Sequence, residues 1–572
     1  MTSEKIPTFE PSLTTELIEP NAEKYHSHFT PSQEATELLN KGRILAPGEL
    51  PHEMIERVVD EIARADSKYE NTEEYSFVNN LGSMMDNGQI VLNTTILTNA
   101  GRHKEKPLGA CTVPTVSLRH ENWRQLREEV LTLHRQGMGT GFCLDEAEDP
   151  IETLLFLNNV AKNGASSGAE DRPVGNMGTL SIYHPSASEF ISAKADNPGL
   201  WKFNTAVDVD DNFISKVRAN DDYELSNGRK INTREQLLHI CRNVQASGDP
   251  GLIFLDRLNG RNPAEDLGRY KTVAPCAEVG LLEGEVCQFG YINIGKFVEK
   301  STVDAISIDK DGLEKASRIL ARALDSALDI TRDNLGAQES KTILEQKRKI
   351  GIGVCGVADA LASVSIPYNS EKARELMRDI YSLINYSSKI ESYELGKARG
   401  SCGVIAEGRS KYFDNPPQMV KLFADKETHL VSSEQWQELS KNIADGRCLR
   451  NISTTAIPPT GRSALVVDAS TGIEPYFNLN NTHLGPNSEP KPLTAIEISP
   501  ADHIAMAGAF QVFCDESVSK TINLPGNSTV EEIMDAYLMA YDAGLNGITV
   551  YVDGSMEAQP KKLNNQGETH AK

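Results

Sequence analysis

Ala274-Pro275-Cys276-Ala277-Glu278, followed by Cys287-Gln288-Phe289-Gly290-Tyr291-Ile292-Asn293-Ile294, is the stretch on which the reading of this chain turns. Proline fixes φ and removes a backbone donor, so Pro275 ahead of Cys276 describes a loop that holds the thiol at a set angle. Two residues on, Glu278 supplies a carboxylate. The apolar positions Phe289, Tyr291, Ile292 and Ile294 after Cys287 read as a strand. One thiol therefore sits on a loop tip beside an acid, and a second enters a strand. Taken alone, both cysteines are better explained as core residues, as most cysteines outside disulfides are. Their spacing fits no zinc site, and Cys-x-x-Cys is absent from the chain.

The same stretch resembles the Asn-Pro-Cys-Gly-Glu loop and the Cys-x-Leu-Gly-Ser-Ile-Asn-Leu strand of ribonucleotide reductase catalytic subunits. Ala274 stands where that family has Asn, Ala277 where it has Gly, and Tyr291 where it has Ser. Further blocks occur in the family's order. Asn93-Thr94-Thr95-Ile96-Leu97-Thr98-Asn99-Ala100-Gly101 and Leu108-Gly109-Ala110-Cys111 precede the central stretch, as do Arg172-Pro173-Val174-Gly175-Asn176-Met177-Gly178 and His184-Pro185-Ser186-Ala187-Ser188-Glu189-Phe190-Ile191. Gly248-Asp249-Pro250-Gly251-Leu252-Ile253-Phe254-Leu255-Asp256 leads directly into it. Pro458-Pro459-Thr460-Gly461-Arg462-Ser463-Ala464 and Ser470-Thr471-Gly472-Ile473-Glu474-Pro475 come after. The closing segment, to Ser555, resembles the adenosylcobalamin-dependent class (class II) rather than the class with a separate radical subunit.

Composition narrows the alternatives. The chain has 572 residues, 39% hydrophobic and 24% charged, as a soluble globular protein has. A net charge of -23 without a basic stripe argues against nucleic acid as a partner. Nine cysteines at irregular spacing form no secretory framework, no apolar leader opens the chain, and no run is long enough to span a membrane. A reducing cytoplasm is the expected location.

In chain order, residues 1–85 are expected to be an extended and helical N-terminal region without the family's ATP-cone. The apolar spacing from Pro51 to Ala65 predicts a helix there, while residues 1 to about 45 read as extended or partly disordered. Residues 86–555 are expected to form the catalytic domain, and 556–572 a polar tail. The glycines of Gly137-Met138-Gly139-Thr140-Gly141 fit neither nucleotide fingerprint, so a tight turn is expected. The segment after it lacks the family's Ser-x-Leu-Arg-Pro, which leaves control by a second nucleotide without a basis in the sequence. A helix cap is expected at Ser186 or Ser188, and His184 reads as structural. Gly251 to Asp256 and Ile350 to Asp359 read as buried strands, 310–335 and 371–398 as helices, and Cys355 and Cys402 as core.

The resemblance implies an α/β fold: a ten-stranded α/β barrel of two antiparallel five-strand halves with a central finger loop, preceded by a small helical region. It implies reduction of ribonucleotides to 2'-deoxyribonucleotides, begun when adenosylcobalamin generates a thiyl radical on Cys276. Glu278 would be the general base. Cys111 and Cys287 would supply the electrons and close into a disulfide. The substrate would be bound by Thr94, Thr95, Gly109, Ala110, Ala274, Thr460, Gly461, Arg462, Ser463 and Ala464, with no metal ligated by the protein itself. Arg462 replaces a hydroxyl residue and Ala464 a serine; a guanidinium suits a terminal phosphate, which opens a nucleoside monophosphate or a modified nucleotide as an alternative substrate. A glycyl-radical relative and an inactive nucleotide-binding homologue are the remaining alternatives. The expected reductant is an external dithiol such as thioredoxin, because the tail carries no cysteine pair, and a homodimer is left open.

Overall fold

A computed structural model describes residues 24–69, 74–166, 174–300, 306–426, 428–477, 479 and 491–554. The polar tail, residues 1–23, and Arg172 and Pro173 of the expected strand lie outside them. The strands run β1 (Ile90–Leu92), β2 (Cys111–Thr112), β3 (Gly139–Cys143), β4 (Asn176–Ser181), β5 (Phe203–Asp208), β6 (Asp222–Glu224), β7 (Lys230–Asn232), β8 (Gly251–Ile253), β9 (Thr272–Val273), β10 (Gly280–Leu281), β11 (Val286–Cys287), β12 (Phe289–Asn293), β13 (Val298–Lys300), β14 (Ile306–Ile308), β15 (Gly351–Cys355), β16 (Thr521–Leu524) and β17 (Gly547–Val552).

The fold is α/β with a large mixed sheet, in the order β11-β2-β3-β4-β5-β8-β17-β16, and a smaller sheet β1-β12-β15. From β2 through β3, β4 and β5 to β8 all neighbours are parallel. So are β12 with β15 and β16 with β17. The direction reverses at β8 against β17 and at β2 against β11. Parallel strands need crossover helices that cover their faces, which is why β4 and β15 are buried almost throughout. The hairpin of β9 and β10 stands apart as a two-stranded unit whose loop carries Cys276.

The three expected helices form at Pro51–Asp66, Lys310–Asn334 and Glu371–Arg399. Ser370 caps the last, its hydroxyl accepting from the Ala373 N–H at 3.1 Å. Three expectations need correction. The strand expected over Gly251 to Asp256 stops at Ile253, and Leu255 opens the helix Leu255–Arg261. The strand expected over 350–359 stops at Cys355, because Gly356 takes φ +74° and starts the helix Val357–Ser363. Within the extended N-terminal stretch, Gln33–Lys41 is a helix capped by Ser32. Its Leu39 and Met54, Val58 and Ile62 of the next helix are buried in the main core. Ion pairs pin that second helix to the two long ones: Asp66 meets Arg322 at 2.6 Å and also pairs with Arg399, and the Asp66 and Arg322 side chains are buried.

Candidate active site

The finger hairpin is built by its own backbone. Val279 O accepts from Ala274 N–H at 2.9 Å, and Ala274 O accepts from Ala277 N–H at 2.8 Å. Ala277 sits at φ +61°, where the family's glycine would be unstrained, so the departure at this position costs about 1 kcal/mol. The turn leaves Cys276 exposed at the tip while Ala274, Pro275 and Glu278 are buried. Asn204 on β5 donates to Pro275 O at 2.9 Å and holds the tip against the sheet.

Alternating glycines make room for this loop. A Cβ on Gly141 would lie 2.4 Å from Val273 O; on Gly139 it would lie 2.9 Å from Gly175 O, 3.0 Å from Pro275 Cγ and 3.4 Å from Cys111 Sγ. The tight turn expected over Gly137–Gly141 is therefore confined to Gly137, at φ +85°, and Gly139 already belongs to the glycine-faced strand β3. Period-two glycine in a strand signals a close backbone approach, and Gly-Met-Gly-Thr-Gly carries that signal.

Cys111 and Cys287 face each other as register partners on β2 and β11. The Cys287 thiol donates to Cys111 O at 3.5 Å. Burial, with the neighbouring Cys111 thiol, pushes the Cys287 thiol well above its ordinary pKa. Cys111 is half-buried and Cys287 fully buried. Gly109 and Ala110 serve this pairing: Ala110 N–H donates to Cys287 O at 2.9 Å, and a Cβ on Gly109 would lie 2.3 Å from Val286 Cγ1. Gln288, which no motif in the sequence singles out, donates to Leu108 O at 2.9 Å and accepts from Thr331 at 3.0 Å, clamping the two strands together.

Glu278 is buried, and its Oε2 has no hydrogen-bond partner among the described residues. Burial lifts its carboxyl to a pKa of about 7, against opposing hydrogen bonds to its own backbone and that of Cys276. A carboxylate poised near neutrality with one oxygen unpartnered is what a general base requires. If it is the base, kcat/KM rises with pH through about 7, and Glu278→Gln removes that limb while lowering activity roughly 10²- to 10⁴-fold. For stability the direction is opposite. A raised carboxyl contributes stability below pH 4.5 that is lost as pH rises through about 7, so at pH 8 Glu278→Gln is expected to gain up to about 3 kcal/mol in thermal unfolding.

The second group of predicted residues lies at two short helices. Thr94 and Thr95 open the helix Thr94–Asn99, capped by Asn93. Thr460 precedes Gly461–Val466, which contains Arg462, Ser463 and Ala464. The hydroxyls of Thr95 and Thr460 are buried without a partner among the described residues, and the space a Cβ would take at Gly461 is open. First-turn N–H groups lack intrahelical partners. Ser463 and Ala464 are buried, whereas Arg462 is exposed. One link joins this group to the finger loop, and another joins its own two halves. Ser517 N–H donates to Glu278 O at 3.0 Å while Ser517 O accepts from Ile457 N–H at 3.0 Å, and Tyr291 on β12 reaches both Asn93 and Pro459. Of the remaining expectations, Cys355 and Cys402 are buried, and His184 Nδ1 accepts from Ser186 N–H at 3.1 Å, a structural contact. Ser186 is the cap residue of Ala187–Asp196 but makes no side-chain cap bond.

Among the described residues no group of three or more His, Cys, Asp or Glu side chains is arranged to hold a metal, and no helix is long and apolar enough to cross a membrane. Of the three thiols at the site only Cys276 is exposed, which fits a bulky radical-generating cofactor that brings its own metal ligands.

The comparisons with known proteins agree on one lineage. The family model described as "Ribonucleotide reductase, barrel domain" matches residues 129–483 and 479–551. The vitamin B12-dependent ribonucleoside-diphosphate reductase of Thermoplasma acidophilum is 31% identical over 548 residues, covering 84% of this chain and 66% of that protein. Its namesake from Mycobacterium tuberculosis is 29% identical over 596 residues, covering 91% and 80%. The vitamin B12-dependent ribonucleotide reductase of Rhodopirellula baltica is 22% identical over 563 residues, and this chain spans 53% of it. With paired cysteines, a finger-loop thiol and a buried glutamate lying inside the matched region or beside it, this chain belongs to the ribonucleotide reductase family.

Proposed function

We propose that the chain reduces ribonucleotides to 2'-deoxyribonucleotides with cobalamin, in the form of adenosylcobalamin, as cofactor. The observation that carries the reading is the register pairing of Cys111 with Cys287 beside a finger loop whose tip is an exposed thiol. When bound, the cofactor supplies the homolysis that turns the Cys276 thiol into a thiyl radical. The chain's own residues do the rest. Cys276 takes the 3'-hydrogen of the ribose, and the resulting carbon radical lowers the barrier to losing the 2'-hydroxyl. Glu278 takes the 3'-hydroxyl proton. Cys111 and Cys287 give two electrons and two protons, the 2'-hydroxyl leaves as water, and one disulfide forms. Cys276 finally receives its hydrogen back.

Two finer points belong to the same proposal. Residues 86–555 form the catalytic unit, a closed ten-stranded barrel: the parallel pairs Ile352 with Thr455 and Ile457 with Val518 support closure of the smaller sheet onto β16. The substrate is a nucleoside diphosphate. The Thermoplasma and Mycobacterium relatives are named ribonucleoside-diphosphate reductases, which supports this, and the exposure of Arg462 gives the monophosphate alternative little support. The half-exposed Cys111 leaves the pair within reach of an external dithiol such as thioredoxin. The test is turnover of nucleoside mono-, di- and triphosphates with adenosylcobalamin and a dithiol, read as deoxynucleotide formed. Product from the diphosphate supports the reading; no deoxynucleotide from any of the three overturns it.

A further inference from the structure

The outgoing arm of the finger hairpin, Glu278-Val279-Gly280, is held on both flanks. On the inner flank Val279 O accepts from Ala274 N–H at 2.9 Å, and Gly280 is the register partner of Val273. On the outer flank Ser517 N–H donates to Glu278 O at 3.0 Å, and the carboxylate of the preceding residue, Glu516, accepts from Gly280 N–H at 3.4 Å. Gly280 O accepts from the Lys349 ammonium at 2.7 Å, and that ammonium is 3.1 Å from Glu516 Oε1. One buried ion pair therefore grips both backbone groups of Gly280, two residues from the proposed base. The arm is also seated against Tyr270, since a Cβ on Gly280 would lie 2.3 Å from Tyr270 Cδ2.

Glu516 is itself fixed from outside the hairpin. Its Oε1 accepts from Ser453 Oγ at 2.8 Å, its N–H donates to Thr455 O at 3.2 Å, and its carbonyl accepts from the Gln511 and Asn546 amides, both at 2.9 Å. It is 2% exposed, as is Glu278. A carboxylate with its partners locked in this way is an anchor for whatever it holds. What it holds bears on the chemistry, because burial is what raises the Glu278 carboxyl. The poise of that acid therefore depends on how deeply the arm is seated. Burial, the Cys111 thiol and the Glu278 charge together push the Cys287 thiol well above its ordinary value, so Cys287 stays neutral while Glu278 titrates.

We infer that Glu516 is a positioning residue for the general base: by gripping Gly280 it seats the outgoing arm of the finger and keeps the Glu278 carboxyl out of water. The inference rests on the role proposed above for Glu278.

Two variants loosen the grip by different means. Glu516→Gln removes the charge that pairs with Lys349, whereas Ser453→Ala keeps that charge and removes only the hydroxyl that orients Oε1. The ionisation of Glu278 is read in the full chain without nucleotide or cofactor, as the infrared carboxyl band that Glu278→Gln lacks. The pH profile of turnover of cytidine diphosphate with adenosylcobalamin and a dithiol is measured beside it. In Glu516→Gln the midpoint is expected to fall from about 7 by at least about 1 pH unit, and in Ser453→Ala by about half as much. In Glu516→Gln kcat at pH 8 should drop about 10-fold with KM within about 2-fold of wild type. An unmoved midpoint in a Ser453→Ala protein with wild-type circular dichroism overturns the inference, and so does activity lost at an unmoved midpoint in Glu516→Gln. The infrared titration needs no turnover, so a wild type inactive on every nucleotide defeats the proposed function, while the seating of Glu278 is still scored on the band.

Discussion

Cys276→Ala is expected to lower deoxynucleotide formation on the order of 10⁶-fold, to background, while leaving thermal unfolding within about 0.5 kcal/mol of wild type. The asymmetry is a consequence of position. The thiol is exposed at a tip whose geometry is set by backbone bonds within Ala274–Val279 and by Asn204 on Pro275 O, none of which uses the sulfur. A buried structural cysteine would give the opposite result, a loss of stability with activity falling in proportion. Circular dichroism and thermal scans alongside product assays distinguish the two. A Cys276→Ala protein that still forms deoxynucleotide at more than a few per cent of the wild-type rate contradicts the assignment of the radical to this residue.

Lys349→Met carries the largest expected cost in stability. Lys349 lies at the centre of a buried charged cluster behind the finger hairpin: its ammonium is 3.1 Å from Glu285 and 3.1 Å from Glu516, and donates to Tyr270 Oη at 3.0 Å and to Gly280 O at 2.7 Å. Lys347 pairs with Glu285 at 2.7 Å. The Lys347 and Lys349 ammonium groups lie over the Tyr270 ring, at 4.5 and 4.3 Å from its centre. Burial pushes the Glu285 carboxyl up, but the two lysines outweigh it and hold it below its ordinary value. Burial likewise depresses Lys349, and Glu285 and Glu516 more than restore it. Removing Lys349 leaves Glu285 with Lys347 alone and takes from Glu516 its ion-pair partner in a low dielectric, which costs about 3 to 5 kcal/mol. The cluster also grips β10 through Gly280 O, so activity should fall with stability. The sign with pH is fixed by the depressed carboxyl: the Glu285 contribution is present above its ordinary pKa of 4.5 and is lost as pH falls through its lower folded value. A change of less than about 1 kcal/mol in Lys349→Met would mean that the hairpin is held by packing alone.

Much of this site is legible in the sequence because its chemistry is local. Pro275 ahead of Cys276 and the strand after Cys287 are readable from residue types, and the order of blocks along the chain points to Cys111 as the partner of Cys287. The pairing of β2 with β11 places the two side by side. The glycines of β3 read as a turn because their purpose is a neighbour more than a hundred residues away, the finger loop, which no local pattern reveals. The run Lys347-Arg348-Lys349 carries no local sign of burial, yet all three are buried, because their carboxylate partners arrive from three separate segments: Glu285, Asp325 with Asp329 on one helix, and Glu516. Tyr291 is visible as a departure from the family strand, but its contacts with Asn93 and Pro459 join segments 198 and 168 residues distant, which no local pattern encodes.

The account stands on Cys111 and Cys287 being the reductant, and a single turnover without added dithiol tests it. Reduced protein mixed with adenosylcobalamin and excess nucleoside diphosphate should form one deoxynucleotide per active chain, lose two titratable thiols, and yield on peptide mapping a disulfide between Cys111 and Cys287. Product formed with both of those thiols still free, or a disulfide joining any other pair, would contradict it.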